Sequence, residues 1–277
     1  MRIAVTGGSG LLGRAVTDLA VRTGHEVVSV DRAAPHEHRD GVTYCNADTT
    51  QFDDFVRAVD GTDALVHLAA YIRPGTVPDN VVHNTNVTSS YNALSIAVEL
   101  GMSRVCLASS VNAIGGFYSR NPRYDYFPVD EAHPTYAEDP YSLSKWVAEQ
   151  QADSFARRHE HMSIASLRLH ALRDRPQPDR ARPERGRKHL WGYTPLPDAA
   201  HACLAALLAD FRGSEAFFVV ADDTASDVAS LELRDRFYPD VPVVGDLRGH
   251  RSFFDSRKAR ILLGLPAGAR EPAPDGI

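Results

Sequence analysis

The stretch VTGGSGLLG, Val5 to Gly13, puts four glycines into nine positions. It follows an apolar run, RIAV from Arg2, and opens a helical pattern. In that setting Gly7 allows a tight turn and Gly10 lets backbone approach a pyrophosphate. Gly13 lets helix and strand pack closely, with the helix N-terminus facing the phosphate charge. The helix that follows carries Leu11, Leu12, Ala15, Val16 and Leu19 on one stripe and ends at Gly24.

The same alternation of short apolar runs and helix-length segments continues outward from this unit. Further strands are expected at EVVSV near 26, VTYCNA near 42, DALVHLA near 63, RVCLAS near 104, SIASLRL near 163 and AFFVV near 216. A second helical stripe, Val87, Tyr91, Leu94 and Val98, ends at Gly101. Strands that are apolar throughout and separated by helices predict an α/β fold, a doubly wound parallel sheet of Rossmann type covered on both faces. The pattern loosens after about residue 171. The expected division is a dinucleotide-binding domain over 1–170 and a smaller substrate-binding region over 171–277, with the strand near 216–221 returning to the sheet.

Composition narrows the function. The 277 residues are 43% hydrophobic with a formal charge of -6, which suits a globular chain with a sizeable core and offers no basic surface to a nucleic acid. Cys45, Cys106 and Cys203 form no CxxC pair and no disulfide framework, so they read as small buried hydrophobes. His67, His170 and His189 lack ligand spacing, and no metal site is expected. The chain begins directly in a strand, without a signal-like segment, and ACLAALLA at 202–209 is too short to span a bilayer. A cytoplasmic protein with no membrane partner is the expectation.

Two further stretches carry chemistry. Asp31 ends the second strand in VVSVDR, where its carboxylate would accept hydrogen bonds from an adenine ribose and repel a 2′-phosphate. This points to NAD, although the adjacent Arg32 leaves room for the phosphorylated form. In PYSLSKWVAE, Tyr141 and Lys145 stand four apart on one helical face. An ammonium beside a phenol stabilises the phenolate and lets the tyrosine act as a general base below its usual pKa of about 10. A serine of LASSVNAIGG, at a strand end, would hold the reacting oxygen.

These motifs, in this order, resemble the extended short-chain dehydrogenase/reductase family, the NAD-dependent epimerases and dehydratases. The resemblance covers roughly residues 1 to 170. It implies that TGGSGLLG, including Leu11 and Leu12, forms the phosphate loop and that Asp48 contacts adenine. Leu68, Ala69 and Ala70 of HLAA would lie beside the dinucleotide, and Asn86 near its nicotinamide end. It makes Ser110 the catalytic serine beside Tyr141 and Lys145. The implied mechanism has Tyr141 removing a proton from a substrate hydroxyl while the carbon beneath gives hydride to NAD. Ser110 orients the oxygen, and Lys145 lowers the tyrosine pKa and holds the nicotinamide ribose. The family's paired helices, here beginning near Asn84 and Tyr141, imply a homodimer.

The sequence also departs from the family pattern. LRLHALRDRP places His170 where nucleotide-sugar members usually carry asparagine, and it lacks their glycine-proline pair. Both this and the short C-terminal region favour a smaller substrate. The nearest sub-group is similar to the uronate dehydrogenases: SSVNAIGGFY resembles their serine loop and RKHLWGYTPLPDAA the segment with their carboxylate-binding arginine. By that comparison Val111 and Asn112 face the substrate with His170. Lys188 stands where the arginine is expected, and neighbouring Arg187 is the better bidentate donor. The arginine-rich segment 171–190, with a charge of about +4 from six arginines, one lysine and three acids, reads as an anion-binding lid or as a solvated loop. The expected function is an NAD-dependent oxidoreductase acting on a small sugar or sugar acid. The alternatives are a nucleotide-sugar epimerase with tightly bound NAD and a non-catalytic NAD-binding or sensing protein.

Overall fold

The computed structural model describes residues 1–35, 37–174, 176–178 and 183–266. Among them seven strands form one parallel sheet: β1 (Arg2–Thr6), β2 (Glu26–Asp31), β3 (Val42–Asn46), β4 (Ala64–His67), β5 (Arg104–Ser110), β6 (Ser163–Leu169) and β7 (Gly213–Val219). The helices are α1 (Leu11–Arg22), α2 (Phe52–Val59), α3 (Asp79–Glu99), α4 (Pro140–Arg158), α5 (Leu196–Leu208), α6 (Ser230–Phe237) and α7 (Arg257–Leu263). The strand order is β3-β2-β1-β4-β5-β6-β7. The chain therefore starts mid-sheet, winds out to β3, and restarts at β4 on the other side of β1. That reversal opens a crevice beyond the carboxyl ends of β1 and β4, where ligands of open α/β sheets bind.

Alternating side chains fill the two layers. Ile3 and Val5 point into the core under α1 and α5, whereas Ala4, Leu65 and Val105 point into the core under α2, α3 and α4. A third apolar cluster, with Phe127, Trp191, Phe218, Phe253 and Phe254 at its centre, joins the chain after β5 to the chain after β7. Phe217 faces α5 while the next residue, Phe218, enters this third cluster, so β7 is shared by both.

Three features differ from the sequence reading. Strand β7 begins at Gly213, three residues early, because its first half is a polar, half-buried edge that pairs with β6 from Ser163 onward. Tyr91 of the α3 stripe is 50% exposed and meets Phe155 of α4 edge-on, while the face that packs inward carries Ala93, Leu94, Ile96 and Ala97. Within the described part of 171–277, α5 and α7 pack on the sheet, while Leu190, Trp191, Val220, Leu233, Leu247, Phe253 and Phe254 join the third cluster together with residues from 111–129. Trp191 and the phenylalanines attract each other regardless of their place along the chain, since burial is non-directional.

Candidate active site

The glycine-rich loop between β1 and α1 is a close fit of backbone on backbone. Gly7 has φ +67°, and a Cβ there would stand 2.9 Å from the amide nitrogen of Ala69, in the turn after β4. A Cβ on Gly13 would stand 2.2 Å from the carbonyl oxygen of Gly7. Gly10 differs: its Cβ would meet only the Gly7 carbonyl, at 3.1 Å, and otherwise face open space. Gly10 also caps α1 without a side-chain hydrogen bond, and no acid lies in the first turn. The helix thus presents free N–H groups, with Leu11 half exposed and Leu12 packed inward.

Asp31, at the end of β2, accepts hydrogen bonds from the N–H groups of Ser9 and Ala33, both at 3.0 Å. Its carboxylate stands beside the loop with lone pairs to spare. The Arg32 guanidinium lies 3.6 Å from Asp48, which also accepts from the N–H and hydroxyl of Thr50. Burial raises the Asp48 pKa, but these hydrogen bonds and the Arg32 charge outweigh it and hold the carboxyl below its ordinary value. Leu68 and Ala69 donate their N–H groups to the Thr6 hydroxyl at 3.1 and 3.2 Å, and Ala70 continues the same turn. Thr6 also shares a hydrogen bond with buried His67, whose pKa is pushed down to about 3 by burial and by the Lys145 charge. Asn86 on α3 bonds both the N–H and the carbonyl of Tyr71 and donates to Ser144 of α4 at 3.0 Å. The open Gly10 face, the uncapped helix end and the Asp31 carboxylate suit a dinucleotide in shape, phosphate charge and ribose hydroxyls respectively.

The sheet's β5 end and the start of α4 bring Ser110, Tyr141 and Lys145 together. Asp139 caps α4 by accepting from Tyr141 N–H and Ser142 N–H at 3.0 and 2.9 Å, and Pro140 opens its first turn. This fixes where Tyr141 leaves the helix. Burial pushes the phenol up to about 12, partly offset by a hydrogen bond with Ser110. Ser110 also accepts from the Asn112 N–H at 3.1 Å and from the Asn112 side chain at 3.4 Å. The Lys145 ammonium lies 5.8 Å from the Tyr141 ring centre and donates to the Ala108 carbonyl at 2.6 Å. Burial lowers the Lys145 pKa to about 8, opposed by Glu149. Burial thus disfavours both charged forms, and a phenolate at neutral pH depends on the lysine staying protonated.

Across the crevice, the described end of the arginine-rich segment closes on the serine loop. Val111, Asn112, Gly116, Tyr124, Lys188 and His189 line a cleft of about 10 Å³. Lys188 donates to the Ser119 carbonyl at 2.7 Å, and its own carbonyl accepts from Tyr124. The Arg187 carbonyl accepts from Tyr238 at 2.7 Å, and the residue is exposed. His170 uses both ring nitrogens on main chain, accepting from Ala171 N–H at 2.7 Å and donating to the His189 carbonyl at 3.0 Å. Burial pushes His170 down to about 3 and His189 to about 4, and the Arg173 charge lowers both. His170 therefore acts here as a neutral strut rather than as a free donor. Arg175 and residues 179–182 of the same segment lie outside the described residues.

The structure also assembles residues that motif reading did not pick out. Tyr118 packs edge-on against Tyr141 with ring centres 5.8 Å apart. Glu149 stands one turn beyond Lys145 and meets Ser109 and Arg168. Its spacing of four from Lys145 was the available signal.

A parallel sheet with a glycine-rich turn after β1, an acid ending β2, and Ser110, Tyr141 and Lys145 gathered at the end of β5 and the start of α4 has the architecture of the short-chain dehydrogenase/reductase type. The chain belongs to the NAD dependent epimerase/dehydratase family, whose family model matches residues 3–173, and NAD is that family's cofactor. It is 29% identical to the L-arabinose 1-dehydrogenase (NAD(P)(+)) of Haloferax volcanii over 61% of this chain and 66% of that protein. It is 26% identical to the dTDP-6-deoxy-L-talose 4-dehydrogenase (NAD(+)) of Aggregatibacter actinomycetemcomitans over 62% of each. The matches thus span about half to two thirds of the length of the curated relatives. Among solved structures, MoeE5 in complex with UDP-glucuronic acid and NAD superposes with a TM-score of 0.72 at 22% identity, covering 98% of this chain and 95% of that one. A mutated uronate dehydrogenase gives 0.66 at 22% identity over 87% and 86%. These likenesses show the fold. Among the described residues, no helix is long and apolar enough to cross a membrane.

Proposed function

We propose that this protein is an NAD-dependent dehydrogenase that oxidises a hydroxyl of a small sugar acid. The observation that carries the substrate class is the meeting of Lys188 and His189 of the arginine-rich segment with Asn112 of the serine loop, with Arg173 near enough to lower the His189 pKa and Arg187 exposed next to Lys188 in the chain. A carboxylate on the substrate would find charge there, and Arg187 offers the bidentate fork that Lys188 lacks.

NAD supplies a hydride acceptor. Gly7, Gly10 and Gly13 with Leu11 and Leu12 would hold its pyrophosphate, Asp31 its adenine ribose, and Asp48 with Leu68, Ala69 and Ala70 the adenine side. Asn86 and Lys145 would lie toward the nicotinamide. Tyr141 takes the proton of the substrate hydroxyl as the C–H bond beneath gives up its hydride. Ser110 and Asn112 hold the reacting oxygen, and the Lys145 ammonium favours the phenolate that receives the proton. The arrangement serves by alignment and charge.

The test is absorbance at 340 nm with NAD and a panel of free sugars, uronic acids and nucleotide sugars, each mixture also being chromatographed. NADH accumulating with a uronic acid is expected, at a rate that falls when Arg187 is replaced by Met. A nucleotide sugar converted without free NADH would mean internal redox and would overturn the reading. NAD binding with no conversion of any kind would leave a sensing protein.

We further propose a homodimer through α3 and α4. Their outer faces carry Tyr91, Val147 and Phe155 around a shallow cleft of about 260 Å³. Light scattering at micromolar concentration should return twice the chain mass of 30.3 kDa. A monomer throughout that range contradicts the pairing.

A further inference from the structure

Glu149 is the one charged side chain of α4 buried beneath the catalytic trio that the mechanism leaves unused. It is 6% exposed. Ser109, the neighbour of Ser110, donates to its Oε1 at 2.5 Å. Arg168 of β6 donates to it twice, through Nε to Oε1 at 3.0 Å and through Nη2 to Oε2 at 2.8 Å. Ser109 and Arg168 are register partners on β5 and β6, so both side chains rise from the same rung of the sheet to meet one carboxylate. One helical turn away, Lys145 donates to Ala108, the residue before Ser109. Helix α4 is therefore fastened to the sheet at two consecutive levels, and Tyr141 lies one turn further along the same face.

We propose that Glu149 is a positioning residue of this active site: clamped by Ser109 and Arg168, it locks α4 to β5 and β6 and keeps Lys145 in its ammonium form. The first role follows from the hydrogen bonds. A bidentate arginine-carboxylate pair with a third, serine bond satisfies the carboxylate from two sides and tolerates little displacement of the helix. Because Ser109 adjoins Ser110 in β5, the same bond ties the strand end that carries Ser110 to the helix that carries Tyr141.

The second role follows from the groups around Lys145. From β4 it faces His67, which is neutral, and from β5 the Ala108 carbonyl. On its own helix it faces Tyr141, a neutral phenol, and Glu149, with Arg168 of β6 behind the carboxylate. Among these described groups Glu149 supplies the only negative charge. Burial alone drives a lysine toward the neutral amine, and a neutral amine no longer favours a phenolate. The clamp thus serves Tyr141 through Lys145, and this use of it rests on the proposed role of Tyr141 as base.

The chain contains three lysines, Lys145, Lys188 and Lys258, so Lys145 can be titrated directly by carbon NMR of lysine labelled at Cε, with Lys188→Arg and Lys258→Arg assigning the other two signals. The readout needs no substrate, and it is taken on the full chain with and without NAD. Glu149→Gln keeps the shape of the clamp and removes its charge, and the Lys145 midpoint is expected to fall by about one pH unit. Should Glu149→Gln fail to fold with Arg168 left unpaired, Glu149→Gln with Arg168→Met removes both charges; a smaller fall is then expected, because loss of the more distant Arg168 cation partly offsets loss of the carboxylate. Glu149→Asp should return the midpoint toward that of the parent. A midpoint unchanged in folded Glu149→Gln or in the double variant overturns the proposal, even if thermal stability drops, because a purely structural clamp would not move it. Activity that is independent of Tyr141 would instead sink the proposed function while leaving the titration result standing.

Discussion

Replacing Tyr141 by Phe is expected to lower turnover by at least about two orders of magnitude, the usual worth of a positioned general base. Affinity for NAD should stay within about threefold. The reason for the split lies in the geometry. The ring, only 7% exposed, packs edge-on against Tyr118, and phenylalanine keeps that contact. The hydroxyl alone is lost, along with its hydrogen bond to Ser110. The phosphate loop and Asp31 are untouched. The measurement pairs steady-state rates on whichever substrate the 340 nm screen identifies with calorimetry of NAD binding. Turnover close to that of the parent would place the base elsewhere and refute the mechanism. A collapse of NAD affinity would mean that the tyrosine works as a binding group.

The second large effect is expected at Gly13. Alanine there would set a Cβ 2.2 Å from the Gly7 carbonyl oxygen and 2.7 Å from Gly8 Cα, both main chain that no side-chain rotation relieves. The helix must back away from the loop, and overpacking of this kind costs about 1–3 kcal/mol or more. A fall in melting temperature of several degrees is expected, together with loss of NAD binding by at least tenfold, or about 1.4 kcal/mol. Gly10→Ala separates the two effects. Its Cβ meets only one main-chain oxygen, at 3.1 Å, and otherwise faces the space a pyrophosphate would enter. That variant should keep its melting temperature and still lose NAD. Equal stability in Gly13→Ala and the parent would show that helix and loop are less tightly joined than the structure has them.

Much of this site is legible in the chain because its parts are local. A turn that must take φ +67° at Gly7, a helix that starts at Leu11, and two residues four apart on α4 are all fixed by neighbours in sequence. The strand positions follow for the same reason, since a buried parallel strand has to be apolar along its whole length. Tyr91 shows the limit of periodicity: it shares the stripe of Val87, Leu94 and Val98, yet α3 buries Ala93, Leu94, Ile96 and Ala97 and leaves Tyr91 half exposed at the edge of α4, against Phe155. Strand β7 shows another, because its first residues are polar and are ordered only by pairing with β6.

The local sequence by itself determined the glycine-rich turn before α1, the acid ending β2 and the spacing of the tyrosine-lysine pair, since each is a short-range constraint on backbone or helix face. Only the tertiary structure decided that Ser109, Glu149 and Arg168 meet under Lys145, and that Lys188 and His189 come down beside Asn112. It also turned His170 from a group aimed at substrate into a strut with both nitrogens spent on main chain. Such contacts join residues from 19 to more than 75 positions apart. They exist because sheet register and burial bring distant strands to the same rung, and no local pattern records which side chains will share it.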